Sequence, residues 1–303
     1  MDCSRITKLV THDACADGLA SAMIVRDALP EVEVLFAQYG TPSLETLVAS
    51  SGLLFCDITP PRARAREFVE AGAIVLDHHK HARDVVALFG DRGVFADEET
   101  RPGVSGALLA YEHVWCPNTP RGYGGHVDVQ GFARLVGVRD TWQTKSPSWQ
   151  LAGDLYASLM GMPREYWLGP RAISRALSDE SIELGRMRRK QRTETVAKIC
   201  IGGTLELTDR AGRRWAVFPD GAQLTSDVAE AMRARGFPVT CGWFQTVADG
   251  AVQTILSLRS DGSLDVGALC TSLGGGGHSR AAGCSLSYTD PVVAVQRVME
   301  AAP

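Results

Sequence analysis

No two of the eight cysteines in this chain of 303 residues form a C-x-x-C pair, so neither a zinc knuckle nor a disulfide framework is suggested and reduced thiols are expected. Long apolar runs are missing as well. The longest are strand-sized pieces such as "AIVL", so no segment is expected to span a bilayer and no membrane partner is predicted. The first strand-like stretch, "ITKLVTH", follows no basic-then-apolar leader, and a cytoplasmic location is expected. There is little excess charge: a formal net charge of −4 gives no overall pull toward nucleic acid or an anionic surface, so any polyanion must be held by a local patch. No internal repeat or low-complexity tract is visible. No basic stripe is interleaved with aromatics in the way that would stack a long single strand; the one basic cluster is "RMRRKQR" at 186–192.

What is present is a length and a hydrophobic content of 45% that suffice for two domains, each with its own core. In the first half, short β-branched runs alternate with helical patterns: "ITKLVTH", then 18–29, "VEVLFAQY", "GLLFCDIT", then 60–71, "AIVLDHH", and "GVFAD" before 103–115. This alternation predicts a parallel α/β sheet. A helical segment follows, with Ile173, Leu177, Leu184 and Met187 at helical spacing, and reads as a connecting helix. Beyond the "GG" at 202–203 the strands "TLELTD", "RRWAVFPD", "VTCGWFQT" and "VQTILSLRS" read as a smaller α+β unit. The expected organisation is therefore an N-terminal domain at 1–170, a linker helix at 171–200 and a C-terminal domain at 201–303.

Three predicted strands end in polar clusters: "THDACAD" at 11–17, "CD" at 56–57 and "DHHKH" at 77–81. In open parallel sheets the ligand crevice lies at the carboxyl ends of the strands, so these clusters can meet at one edge. Imidazole and carboxylate in "DHH" suit a divalent metal such as Mn²⁺, although a three-residue motif at a strand end also reads as a solvated turn. Asp57 before "ITPP" reads alone as a turn residue, and Asp140 in "LVGVRDTW" alone as a helix-end carboxylate; their value lies in the set. Near the C-terminus, "SLGGGGHSRAAG" places Gly275, Gly276 and Gly277 before His278 and Arg280. Backbone N–H groups of such a turn approach an anion closely, and the imidazole and guanidinium add charged donors. "SLRS" at 257–260 is expected on a neighbouring strand, with Arg259 and Ser260 as further anion contacts, or with Arg259 as an exposed edge charge.

"HDACADG", "CDITP", "DHH", "VRDTW" and "GGGGHSRAAG", in this order, resemble the motifs of the DHH phosphoesterase family with its DHH-associated C-terminal domain. That family includes nano-RNases, the single-strand exonuclease RecJ, cyclic di-AMP phosphodiesterases and, more distantly, manganese pyrophosphatases. The resemblance runs from residue 6 to about 288. It implies a catalytic DHH domain, a substrate-binding DHH-associated domain and an active site in the cleft between them. It further implies two Mn²⁺ ions, with Mg²⁺ or Co²⁺ as substitutes: one on His12 and Asp57, the other on Asp17, Asp57, His78 and Asp140, with Asp57 bridging. His79 would face the scissile phosphate, Asp77 would support the histidine pair, and Arg259, Arg280 and the "GGGGH" turn with His278 would hold the remainder of the substrate. The chain departs from the pattern at Cys15, where many members carry a carboxylate. Thiolate is a softer ligand, so the first site is weaker, selects a softer metal or is completed by Asp13, unless Cys15 simply packs as a small apolar side chain.

The activity so implied is two-metal hydrolysis of short oligonucleotides or dinucleotides. RecJ-like enzymes usually carry a further nucleic-acid-binding domain, for which no segment is left. The alternatives are a phosphatase acting on a small nucleotide such as 3′-phosphoadenosine 5′-phosphate, a cyclic dinucleotide phosphodiesterase and, from another class, a catalytically silent nucleotide-binding protein. No stable protein partner is expected, and a homodimer is left open.

Overall fold

A computed structural model describes residues 5–13, 15–119, 125–220, 224–248 and 250–303. It divides into two compact units, Met1–Lys190 and Gln191–Pro303. The division falls inside a long helix and not at either end of the expected linker.

In the first unit β1 (Lys8–His12), β2 (Glu33–Ala37), β3 (Leu53–Cys56), β4 (Ile74–Asp77) and β5 (Gly93–Phe95) form one sheet in the order β2-β1-β3-β4-β5. Every pairing is parallel. The alternation of strands and helices demands this, because a parallel neighbour is reached only through a crossover. Side chains of β3 show the period of two: Leu53 and Phe55 enter the cluster with Phe68 and Val85, while Leu54 and Cys56 enter the one with Leu9 and Leu109. A sheet buried on both faces explains why the strands read as continuous apolar runs.

The principal helices of this unit are α1 (Ala16–Ala28), α2 (Ala65–Glu70), α3 (Gly106–Ala110), α4 (His126–Asp140) and α5 (Trp149–Met160). Residues 16–25 of α1 are all buried, so it is a core helix and not an amphipathic one. It packs with α3 and α4 on one face of the sheet, and α2 covers the other.

The expected connecting helix is two helices. Ala172–Ala176 ends at Leu177, and α6 (Asp179–Gly202) starts afresh, with the Ser178 hydroxyl accepting from the Ser181 N–H in its first turn. Ile173 is buried whereas Met187 is 62% exposed, so the apparent common stripe was not one face. The basic cluster on α6 is largely engaged. Arg189 Nε donates to the Asp154 carboxylate of α5 at 2.7 Å, Arg186 stands 3.5 Å from that carboxylate, and Arg192 donates to Asp227 at 3.0 Å.

The second unit is a mixed sheet, β10-β11-β9-β8-β7-β6, made of β6 (Leu205–Thr208), β7 (Arg214–Pro219), β8 (Val239–Ala248), β9 (Ala251–Ser260), β10 (Gly276–His278) and β11 (Ala281–Leu286). Only β7 and β8 run parallel, and α7 (Thr225–Arg233) provides their crossover. Leu256 and Leu258 of β9 bury against Val266, Leu269 and Val295 from the helices Val266–Ser272 and Pro291–Ala301. No helix among the described residues is long and apolar enough to cross a membrane.

Candidate metal centre

Strand order 2-1-3-4-5 reverses direction between β1 and β3, and at such a switch point the loops part and leave a crevice at the carboxyl ends of the strands. His12 ends β1, Asp57 follows β3 and Asp77 ends β4, each at this edge. Asp57 is buried and has φ +65, a left-handed conformation that aspartate tolerates better than most residues. Its N–H still bonds to Leu76 O at 3.0 Å, so β3 stays in the ladder while the carboxylate turns inward. Such a backbone costs about 1–3 kcal/mol and persists where surroundings hold it.

The side chains converge on His78. Its Nε2 lies 3.0 Å from Asp57 Oδ1, 3.4 Å from Asp17 Oδ2 and 3.6 Å from Asp140 Oδ2. One ring nitrogen carries one hydrogen and cannot serve three carboxylates. His12 Nδ1 and Cys15 Sγ stand 4.0 and 3.8 Å from Asp57 Oδ2. Among the described residues three donor groups result: His12, Cys15 and Asp57; Asp57, His78 and His79; and Asp17, His78 and Asp140. Asp57 and His78 each belong to two of them.

Electrostatics of the cluster follow from burial and like charge. Burial and then the neighbouring Asp17 push Asp57 well above the usual carboxylate range. Asp17 would also rise on burial, but bonds to His78 and to the Ala107 N–H bring it down to about 2. Burial alone would lower His78, yet Asp17 and Asp57 raise it to about 11. Asp140, with an open edge to solvent, is raised to about 6 by desolvation and by Asp17. Burial and then Asp57 hold the Cys15 thiol up, so sulfur stays protonated in the absence of a cation. Asp77 accepts from both His79 N (2.8 Å) and His79 Nδ1 (2.9 Å) through Oδ1, while its buried Oδ2 has no hydrogen-bond partner. Crowded carboxylates, one over-subscribed imidazole and an orphaned oxygen form a set that divalent cations fit.

Asp13 is not brought into any of these groups. Its Oδ1 pairs with Arg164 at 2.9 Å, and its N–H donates to Ala37 O. Sequence reasoning also missed what holds Asp17: the Gly106 N–H donates to Oδ2 at 2.6 Å and the Ala107 N–H to Oδ1 at 2.8 Å, both from the N-terminus of α3. Ser105 before an apolar run is the readable signal of that terminus, and its hydroxyl accepts from the Leu108 N–H.

The C-terminal candidates lie in the second unit. Gly276 and His278 lie on β10, paired with Gly283 and Ala281; the His278 side chain is outside the described residues. A Cβ at Gly275 would come within 2.2 Å of Gly283 O, and one at Gly277, whose φ is +140, within 2.5 Å of Ala282 Cα. These two glycines therefore close the hairpin. Arg259 sits on the interior strand β9 and not at a sheet edge, donating to Ser226 Oγ at 3.2 Å and to Leu258 O at 2.8 Å. It lines a cavity of about 470 Å³ with Asp220, Ser226, Phe244 and Ala282. Ser260, the next residue, points to the opposite face and accepts from the N–H groups of Gly262 and Leu264, so the two cannot face one ligand. Arg280 is exposed beside Gly262.

No protein-family model and no curated protein matches the chain. Among solved structures it is similar to a pGpG-specific phosphodiesterase from Vibrio cholerae, at 14% identity and a TM-score of 0.58 over 97% of each chain. It is also similar to the DHH domain of a member of a family of ribosomal proteins, at 12% identity and a TM-score of 0.59 over 99% of this chain and 86% of that one. The likeness is one of fold: a parallel-sheet unit followed by a second unit with a mixed sheet.

Proposed function

We propose that this chain, which has the fold of DHH-domain proteins, is a metal-dependent phosphodiesterase that hydrolyses dinucleotides or short oligonucleotides. The observation that carries the reading is the sharing of Asp57 and His78 among three donor groups at the sheet's switch point. His12 and Asp57, with Cys15 beside them, would hold one Mn²⁺ ion; Asp17, Asp57, His78 and Asp140 would hold the second. Bound divalent cations lower the pKa of water and offset charge on phosphoryl oxygens.

The chain's own residues do the rest. Asp77 fixes the His79 ring through Nδ1, which leaves Nε2 to face the phosphate, and together with Asp57 it raises His79 against the lowering effect of burial. A histidine so held donates to a phosphate oxygen. Arg259, desolvated beside its cavity, is the anion contact we assign in the second unit. Two observations favour a short substrate: three arginines of the basic cluster on α6 already face Asp154 or Asp227, and one fold neighbour acts on pGpG, a linear dinucleotide. The seven described cysteines are free thiols, which suits the cytoplasm.

A panel of dinucleotide, pentanucleotide, 3′,5′-bisphosphate and cyclic dinucleotide with Mn²⁺ tests the reading. We expect the linear dinucleotide to be cleaved fastest. Faster turnover of the bisphosphate moves the activity to a nucleotide phosphatase, and no turnover of any member with Mn²⁺, Mg²⁺ or Co²⁺ makes the chain a binding protein. Asp77→Asn should lower kcat by roughly 10–100-fold, since a partner that orients an active-site imidazole is worth about that much. Manganese content, measured by elemental analysis, should stay at the wild-type level; an unaltered kcat would remove Asp77 from its supporting role.

A further inference from the structure

Beside the donor cluster, within the first unit, lies a cavity of about 240 Å³. One end is formed by Cys15, Asp17 and Asp140, so it opens directly onto the donor cluster. The rest of its wall has different chemistry: Val136, Ala152 and Leu155 form an apolar floor, and Trp142 and Tyr156 stand at its rim. These two rings are 50% and 39% exposed, and Trp142 meets the Trp149 ring edge-on at 5.3 Å. The Arg139 guanidinium stacks 4.1 Å from the Trp142 ring centre and 5.2 Å from that of Tyr156. Trp142 has φ +55, which is unusual for a bulky residue and turns its side chain back over the end of α4.

Inorganic phosphate gains nothing from an apolar floor, and a floor flanked by aromatic rims and a guanidinium plane is a stacking surface for a flat ring. A cavity somewhat below the usual range for drug-sized ligands matches a ligand fragment such as one flat ring system. We propose that this cavity seats one nucleobase of the substrate, next to the phosphate held at the donor cluster, with Trp142 and Tyr156 as base-stacking residues. The proposal rests on the phosphodiesterase reading for the identity of the substrate, but base recognition can be measured without turnover.

Two measurements test it. The first compares kcat/KM for a dinucleotide with that for the same molecule carrying an abasic sugar at one end, then at the other. Wild type should lose roughly tenfold or more for one of the two ends, the size of a base-stacking contact. In Trp142→Ala that ratio should fall toward one, mainly through KM, and Trp142→Phe should restore it; manganese content should match wild type in both. Equal losses on intact and abasic substrates in Trp142→Ala would show a structural role and overturn the proposal, as would an unchanged ratio. The second is calorimetric binding of nucleoside 5′-monophosphates against ribose 5-phosphate. If the chain proves not to be a hydrolase, tighter binding of the monophosphates that is lost in Trp142→Ala still supports the base seat, and equal binding of both ligands overturns it.

Discussion

Asp57→Asn should lower phosphodiester hydrolysis by at least about 10²–10³-fold, the scale on which removing one preorganised electrostatic group acts, because this single carboxylate belongs to two donor groups at once. Asparagine is the informative replacement: it keeps the size and accepts the left-handed backbone at φ +65. A second effect has the opposite sign. Burial and Asp17 raise Asp57 above its unfolded-state value, so its ionisation costs stability in the metal-free protein at neutral pH. The variant should therefore unfold at a higher temperature than wild type in chelator. Wild type should in turn gain more from Mn²⁺: a cation at a hundred times its Kd adds about 2.7 kcal/mol, several degrees for a unit of this size. Thermal unfolding with and without Mn²⁺, alongside kcat/KM, measures both. A variant with wild-type turnover and a wild-type Mn²⁺ shift would remove Asp57 from the centre of the site.

Gly106→Ala should be nearly as damaging, although it adds one methyl group far along the chain from "DHH". An alanine Cβ would stand 2.5 Å from Asp57 Cβ and 3.1 Å from Asp17 Oδ2, and neither is the loose end of a flexible side chain. Alanine in place of glycine helps a helix by about 1 kcal/mol, while overpacking a filled core costs about 1–3 kcal/mol. The clash wins, and α3 must withdraw from Asp17, lengthening the bonds from the Gly106 and Ala107 N–H groups. We expect a lower melting temperature, weaker Mn²⁺ binding and a large loss of turnover. Retention of all three would mean that α3 is free to shift without disturbing the carboxylates.

Much of this site was readable because polar residues interrupt apolar strands where a parallel sheet must open. On that ground His12, Asp57, Asp77 and His78 are legible as one polar set at the strand ends, whereas the role of each came only with the family resemblance. Asp13 and Cys15 were not separable in the sequence, because the partner that engages the Asp13 carboxylate, Arg164, lies far along the chain. Gly106 escaped notice because a glycine opening a helix reads as a neutral cap; its demand comes from Asp57, distant in sequence. In the second unit the glycine run read as an anion cradle, whereas Gly275 and Gly277 are required by the close approach of β10 to β11. Arg259 and Ser260 were grouped by adjacency, and the pleat places them on opposite faces. The break at Ser178 was hidden because its two flanking helices happen to share an apolar spacing.

The pairing of Arg186 and Arg189 with Asp154, and of Arg192 with Asp227, has a consequence in solution. Cationic side chains that already face carboxylates release few counterions when a polyanion arrives, and counterion release is what makes nucleic-acid affinity rise with each added phosphate and fall steeply with salt. Affinity for an oligonucleotide should therefore plateau after the first few residues, and the slope of log K against log salt should be shallow and nearly the same for a dinucleotide as for a longer strand.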